Sequence, residues 1–208
     1  MSQKKINIHM HFDDLPDNIN LGNEIAIDTE TLGLNPNRDR LCLIQLKTDN
    51  DEIHLIKINK DKKPAPNLLK ILKEEKILKI FHFARFDVAI LNKTYDISIN
   101  NIYCTKIASK IARTYTDRHG LKDLCKELLN IELSKEQQSS DWGAKELTDN
   151  QKKYAANDVI YLHDIKKNLD QMLQRENRYD LAYACFKFLN TQVELDLRGW
   201  HNQNIFDH

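Results

Sequence analysis

The chain has 208 residues, 41% of them hydrophobic and 30% charged, which is the balance of an ordinary soluble globular protein long enough for one domain with a real core. Its 31 basic side chains are matched by 31 acidic ones, which argues against a broad basic groove for long nucleic acid. No apolar run approaches the ~20 residues that a membrane span needs.

The N-terminal residues Met1-Ser2-Gln3-Lys4-Lys5-Ile6-Asn7 lack the apolar stretch of a secretion signal. Cys42, Cys104, Cys125 and Cys185 are scattered with no C-x-x-C pair, against a zinc site or a disulfide framework and for a reducing, cytoplasmic location. Residues 24–30 alternate and predict a strand, followed by a turn at Gly33-Leu34-Asn35-Pro36-Asn37. Residues 41–46 and 53–56 predict two more strands, paired as a hairpin across the polar turn 48–52. Pro66 opens an amphipathic helix with Leu68, Leu69, Ile71 and Leu72 on its apolar side. A short apolar strand over 77–83 and a helix over 86–91 come next. Further helices are predicted over 101–112 and 121–129, the second entered through His119-Gly120. Thr148 and Gln151 form a capping box that opens a helix through Tyr154 and Asp158 toward Leu173. A last helix spans 176–189, ahead of a tail with Leu197-Arg198-Gly199-Trp200. Strands first and then mostly helices predict an α/β fold, a mixed sheet flanked by helices in one domain over 1–208. Its motif-bearing core covers about 22–174, with a C-terminal helix and tail over 175–208.

Asp28 and Glu30 stand two apart on a strand, so both project from the same face. Adjacent carboxylates resist joint ionisation unless a cation or hydrogen bonds compensate. An all-oxygen donor set suits Mg²⁺ or Mn²⁺ rather than zinc. By itself the pair also reads as a half-exposed strand end. Asp87, in His82-Phe83-Ala84-Arg85-Phe86-Asp87, sits in a first helical turn, where the dipole alone would favour an acid. Tyr154 and Asp158 lie four apart on one helix face, beside the apolar Val159, Ile160 and Leu162, and an acid there wants a partner. Each has an adequate structural explanation taken singly.

In order and spacing, these three patterns resemble the motifs of the DEDD 3′–5′ exonucleases, and the tyrosine marks the DEDDy subgroup that includes RNase D. The resemblance covers roughly residues 25–162. It is carried by Asp28-Thr29-Glu30-Thr31-Leu32-Gly33-Leu34, His82-Phe83-Ala84-Arg85-Phe86-Asp87 and Tyr154-Ala155-Ala156-Asn157-Asp158-Val159. Ser140-Asp141-Trp142 followed by Leu147-Thr148 and Gln151 is also similar to RNase D. Two departures stand out: no helical nucleic-acid-binding domains follow, and residues 140–147 lack the Arg-Pro often found before that leucine. In this the chain is similar to the short bacterial oligoribonucleases of the nanoRNase C type. Cys104-Thr105-Lys106, Arg113-Thr114-Tyr115-Thr116-Asp117-Arg118-His119-Gly120 and Leu197-Arg198-Gly199-Trp200 carry that likeness.

The resemblance implies a ribonuclease H-like fold and hydrolysis assisted by two divalent cations, Mg²⁺ or Mn²⁺, held about 3.5–4 Å apart. Asp28 would bridge the cations, Glu30 and Asp158 would complete the one on the nucleophile side, and Asp87 would serve the other. Tyr154 would orient the attacking water, and the products would be nucleoside 5′-monophosphates. Thr29, Leu34, His82 and Phe83 become candidates for gripping the terminal nucleotides. Arg118, His119, Gln138 and Ser139 become candidates for the far phosphate, since arginine and hydroxyl donors suit phosphate oxygens. For each of these, Leu34 included, an ordinary turn, core or surface role stands beside the functional one. The expected partners are short single-stranded RNA, dinucleotides above all, and further copies of the chain in a homo-octamer ring with the Trp200 tail at the interface; neither a membrane nor an organic cofactor is expected. The alternatives are RNase D-like trimming of longer structured RNA, DNA proofreading, and a non-catalytic RNA-binding module on the same fold.

Overall fold

In the computed structural model, residues 7–17, 19–61, 63–133 and 140–207 are described. Apolar alternation and β-branched runs produce a sheet whose middle is covered on both faces. The strands are β1 (Asn7–Phe12), β2 (Glu24–Thr31), β3 (Leu41–Lys47), β4 (Glu52–Lys57), β5 (Leu78–Phe81) and β6 (Ile102–Cys104). They lie in the order β1-β4-β3-β2-β5-β6. β2, β3 and β4 form an antiparallel meander, β5 and β6 extend it parallel to β2, and β1 runs parallel to β4. β3 is buried at every position, as expected of a strand packed on both sides. This is the mixed sheet with flanking helices expected from the sequence.

The helices are α1 (Pro66–Lys73), α2 (Ala84–Tyr95), α3 (Thr105–Ala112), α4 (Leu121–Leu129), α5 (Asp149–Ile160), α6 (Leu162–Arg175) and α7 (Tyr179–Leu195), and a π-helical turn at Asp196–Trp200 follows. The capping box forms as predicted: the Thr148 hydroxyl accepts from the Gln151 N–H, and the Gln151 side chain accepts from the Thr148 N–H. α5 packs across β2, β3 and β4, which brings Tyr154 and Asp158 over the sheet.

Four expectations change. The predicted helix over 101–112 begins only at Thr105, because Ile102, Tyr103 and Cys104 pair with β5 as an edge strand. Three residues are too few for a period of two to register against a following helix. The single helix predicted from Thr148 toward Leu173 is two, broken at Tyr161 (φ −99°, ψ −3°), with neither proline nor glycine to mark the break. The last helix starts at Tyr179 rather than 176 and runs on to Leu195. Asn177 adopts a left-handed conformation (φ 56°), and the Arg178 N–H returns to the Leu173 carbonyl, so residues 176–178 close α6 instead of opening α7. β1 was not expected, although Ile8, Met10 and Phe12 alternate with His9 and His11 along it; it is a largely exposed edge strand.

Arg113 is the largest fully buried side chain, and its guanidinium ties the α3 end to α4. It donates to Ser109 Oγ (2.9 Å) and the Arg118 carbonyl (2.8 Å) and pairs with the Glu127 carboxylate. Replacing Arg113 by methionine removes the donor to Ser109 and to the Arg118 carbonyl, while the exposed Glu127 still accepts from the Tyr115 hydroxyl. The replacement is expected to cost about 1–3 kcal/mol in urea unfolding through the hydrogen bonds lost, and Arg113→Lys should recover little of that because an ammonium lacks the planar fork.

Candidate active site

The same-face rule for a strand puts Asp28 and Glu30 side by side on β2, opposite Gln45 and Leu43 of β3. Helical spacing puts Tyr154 and Asp158 on one face of α5. Packing α5 on the sheet closes the gap: one carboxylate oxygen each from Asp28, Glu30 and Asp158 lie within 4.8 Å of one another. Asp87 joins from the first turn of α2, buried at 3% exposure. Thr29 projects from the opposite face of β2 to Asp28 and Glu30, and its hydroxyl donates to Asp87 Oδ1 at 2.6 Å.

The electrostatics follow from burying like charges together. Burial, more than anything else, lifts Asp28 to about 7, opposed by the Thr29 N–H. Glu30 is pushed up to about 10 by burial and then by Asp28, Asp158 and Asp87. Asp158 rises to about 8 through burial and the charge of Asp28. Asp87 is held well above the usual carboxylate range by burial and Asp28, although Thr29 and two backbone N–H groups pull the other way. The half-buried Tyr154 phenol is also held above its usual value, by burial and then by Asp158, Glu30 and Asp28. It therefore stays protonated at neutral pH. Its ring lies 6.1 Å from that of the buried Trp142, whose carbonyl accepts from the Lys57 ammonium. Convergent hard oxygens carrying uncompensated negative charge are a donor set that fits a divalent cation of the Mg²⁺ or Mn²⁺ kind.

The remaining candidates divide. Leu34 is 86% exposed at the tip of the turn after β2, so it is not a residue folded back on the core. The turn is closed by Asp39, which accepts from the Asn35 N–H (2.9 Å) and leaves no room for a side chain at Gly33. His82 is held neutral, its pKa pushed down to about 3 by burial and then Lys106. The Thr105 hydroxyl donates to the Phe81 carbonyl and so accepts from His82 Nδ1 (2.9 Å), which leaves a lone pair on Nε2. Phe83 is exposed in a left-handed conformation (φ 68°), unusual for a bulky residue, and Lys106 Nζ lies 4.2 Å from its ring centroid. An apolar groove of about 540 Å³ runs from Phe83 past Lys106, Ile107 and Phe188 to Phe206. Thr29 has its hydroxyl committed to Asp87. Arg118 and His119 lie between α3 and α4 in the Arg113 network, His119 Nδ1 being 2.8 Å from Ser109 Oγ. Gln138 and Ser139 lie outside the described residues.

Three contributors escaped the sequence reading: Lys106 over Phe83, the Thr29 hydroxyl as a support for Asp87, and Arg85, whose guanidinium grips Asp196 (2.5 and 2.7 Å) and ties α2 to the turn after α7. No local spacing signals any of them, since each partner is distant in the chain.

A model of the 3′–5′ exonuclease family matches residues 6–174. Over 149 residues the chain is 35% identical to DNA polymerase I of Aquifex aeolicus, and over 156 residues 30% identical to ribonuclease D of Gluconacetobacter diazotrophicus. These stretches cover 72% and 75% of the chain but only 24% and 39% of those relatives. Brucella melitensis NrnC matches along its whole length. Its structure with bound Mg²⁺ is 51% identical with a TM-score of 0.92, and its structure bound to pGG is 52% identical with a TM-score of 0.93; each comparison covers 98% of this chain and 100% of that one.

Because the four acids have raised pKa values, the metal-free fold prefers them protonated. Their contribution is favourable below the ordinary carboxylate range and is lost as pH rises through about 7 to 10. Melting in chelator should therefore fall between about pH 6 and 9, Asp28→Asn should flatten that fall, and the stabilisation given by Mg²⁺ should grow over the same interval.

Proposed function

The chain belongs to the 3′–5′ exonuclease family, and we propose that it is an exoribonuclease that hydrolyses RNA of a few nucleotides, dinucleotides above all, to nucleoside 5′-monophosphates. The observation that carries this reading is the convergence of Asp28, Glu30 and Asp158 oxygens within 4.8 Å, with Tyr154 one helical turn from Asp158. Support for the short substrate comes from the full-length likeness to NrnC, which has been seen bound to pGG.

Asp28, Glu30, Asp87 and Asp158 would hold two divalent cations, whose chemistry is to neutralise charge on the phosphoryl group and to favour formation of the hydroxide nucleophile. The protein supplies the placement. Asp28 stands between the others electrostatically, raising both Asp87 and Asp158, and is the residue we assign to both cations. Glu30 and Asp158 belong to the nucleophile side and Asp87 to the leaving-group side, with the Thr29 hydroxyl fixing the Asp87 rotamer. Tyr154, neutral, donates a hydrogen bond that orients the attacking water rather than abstracting its proton. Leu34, projecting from its turn, would wedge between the last two bases, and Phe83 offers a ring for stacking. His82 Nε2, bare of a proton, can accept from a ribose hydroxyl. A homo-octamer is part of the proposal: Trp200, Ile205 and Phe206 are exposed apolar side chains on the C-terminal segment and suit an interface between copies. Among the described residues, no helix is long and apolar enough to cross a membrane; a cytoplasmic location remains part of this reading.

With Mn²⁺ or Mg²⁺ and 5′-labelled RNAs from two to about twenty nucleotides, kcat/KM should be highest for the dinucleotides. Equal rates at all lengths would remove the short-substrate reading and leave the nuclease. Asp28→Ala should lower kcat by about a thousandfold or more; undiminished activity would overturn the site itself. Tyr154→Phe should lower kcat about a hundredfold with little change in KM, as expected of a group that acts on the water.

A further inference from the structure

The outermost strand pair carries a second cluster of donors, on nitrogen rather than oxygen. β1 runs parallel to β4 with His9 opposite His54, and His11, two residues on, projects from the same face as His9. The three rings form one stack with His54 in the middle. Its centroid lies 5.2 Å from that of His9 and 5.2 Å from that of His11, at interplanar angles of 21° and 25°. His11 Nε2 and His54 Nδ1 are 3.0 Å apart. Two neutral imidazoles can share a proton across that gap. The same gap is close to the spacing of two ligands on one ion: metal–nitrogen bonds of about 2.0–2.1 Å at a tetrahedral centre separate the donors by roughly 3.3 Å.

The other side of His54 favours the metal reading. His54 is 4% exposed, and among the described residues its Nε2 has no hydrogen-bond partner. The carboxylate of Glu52, the preceding same-face position on β4, lies 4.0 Å from that nitrogen. A lone pair on Nε2 would face the carboxylate unfavourably, so the proton belongs there and the Nδ1 lone pair is turned toward His11. At 4.0 Å the carboxylate acts on that N–H through its charge and not through a hydrogen bond, on the side of the ring where a metal-ligating histidine has its carboxylate partner. Burial, before any neighbouring charge, also holds His11 and His54 below the ordinary imidazole range, in the neutral form that ligates.

We propose that His11 Nε2 and His54 Nδ1, with Glu52 orienting His54, form a binding site for a first-row transition-metal ion of the Zn²⁺ or Cu²⁺ kind, which cross-links the edge strand β1 to β4. His9, exposed and stacked on His54, is a further imidazole beside it. Nitrogen donors separate this site from the carboxylate cluster, which takes hard cations. The cross-link acts on β1, which among the described residues is paired on one side alone and so depends on β4 for its place.

The test uses the full chain in excess Mg²⁺, so that the carboxylates are occupied, titrated with Zn²⁺ by calorimetry and with Cu²⁺ under electron paramagnetic resonance. The expected result is one Zn²⁺ per chain, imidazole nitrogen coupling in the copper spectrum, and affinity at least tenfold weaker in His11→Gln and in His54→Gln. Asp28→Asn should leave this binding in place, which separates it from the nuclease reading. Equal Zn²⁺ affinity in the wild type and the histidine variants would overturn the proposal, as would an absence of Zn²⁺ binding in excess Mg²⁺ or a copper spectrum without nitrogen coupling. His11→Gln changes a partly exposed edge-strand residue, and keeps the test decisive should His54→Gln fail to fold.

Discussion

Negative charges buried close together repel, and the rest of this molecule is arranged around the repulsion among Asp28, Glu30, Asp87 and Asp158. In water these side chains would separate. Here two are fixed by the pleat of β2, one by the first turn of α2 and one by α5, and one oxygen from each of three is kept within 4.8 Å. Burial and mutual charge hold all four above the usual carboxylate range, so the metal-free fold is stressed where the chemistry is expected. In the proposed function a divalent cation would relieve that stress, and the same four groups that weaken the apo fold would create the affinity for it.

Holding such a site requires stiffness in what surrounds it. The strands beneath it are among the most buried parts of the chain, with β3 closed to solvent along its length. α5 is anchored at its start by a reciprocal capping box and along its length by packing on three strands. α2 is anchored through Arg85, whose two hydrogen bonds to Asp196 join it to the turn after α7. The rim has different properties. Leu34 stands in solvent on a turn closed by Asp39, and Phe83 is displayed by a left-handed backbone that its side chain disfavours. Strain of that sort persists only where the packing around it over-determines the conformation, here between a buried strand and a buried helix.

The two proposed cation sites show how donor type and setting divide the work. Carboxylates at the centre of the sheet suit hard cations; imidazoles at its outer edge suit softer ones. The first would relieve charge and serve catalysis, and the second would fasten a strand that, among the described residues, is paired on one side alone.

Much of this was legible in the linear order of residues. Asp28 and Glu30 share a face because strands have a period of two, and Tyr154 and Asp158 share one because helices repeat every 3.6 residues. Thr148 and Gln151 announced the start of α5, and the runs 24–30, 41–46 and 53–56 announced the central strands. These are local properties, set by backbone geometry within a few residues. What failed was also local in origin: Ile102–Cys104 was too short to show its period and Tyr161 breaks a helix without a breaker residue, whereas β1 was legible in the alternation of Ile8, Met10 and Phe12. The tertiary structure alone decided that Asp158 meets Asp28 and Glu30, that the Thr29 hydroxyl turns to Asp87 58 residues away, and that His54 is sandwiched between His9 and His11. Such contacts depend on how finished elements pack, and a periodicity confined to one element holds no information about its distant partner.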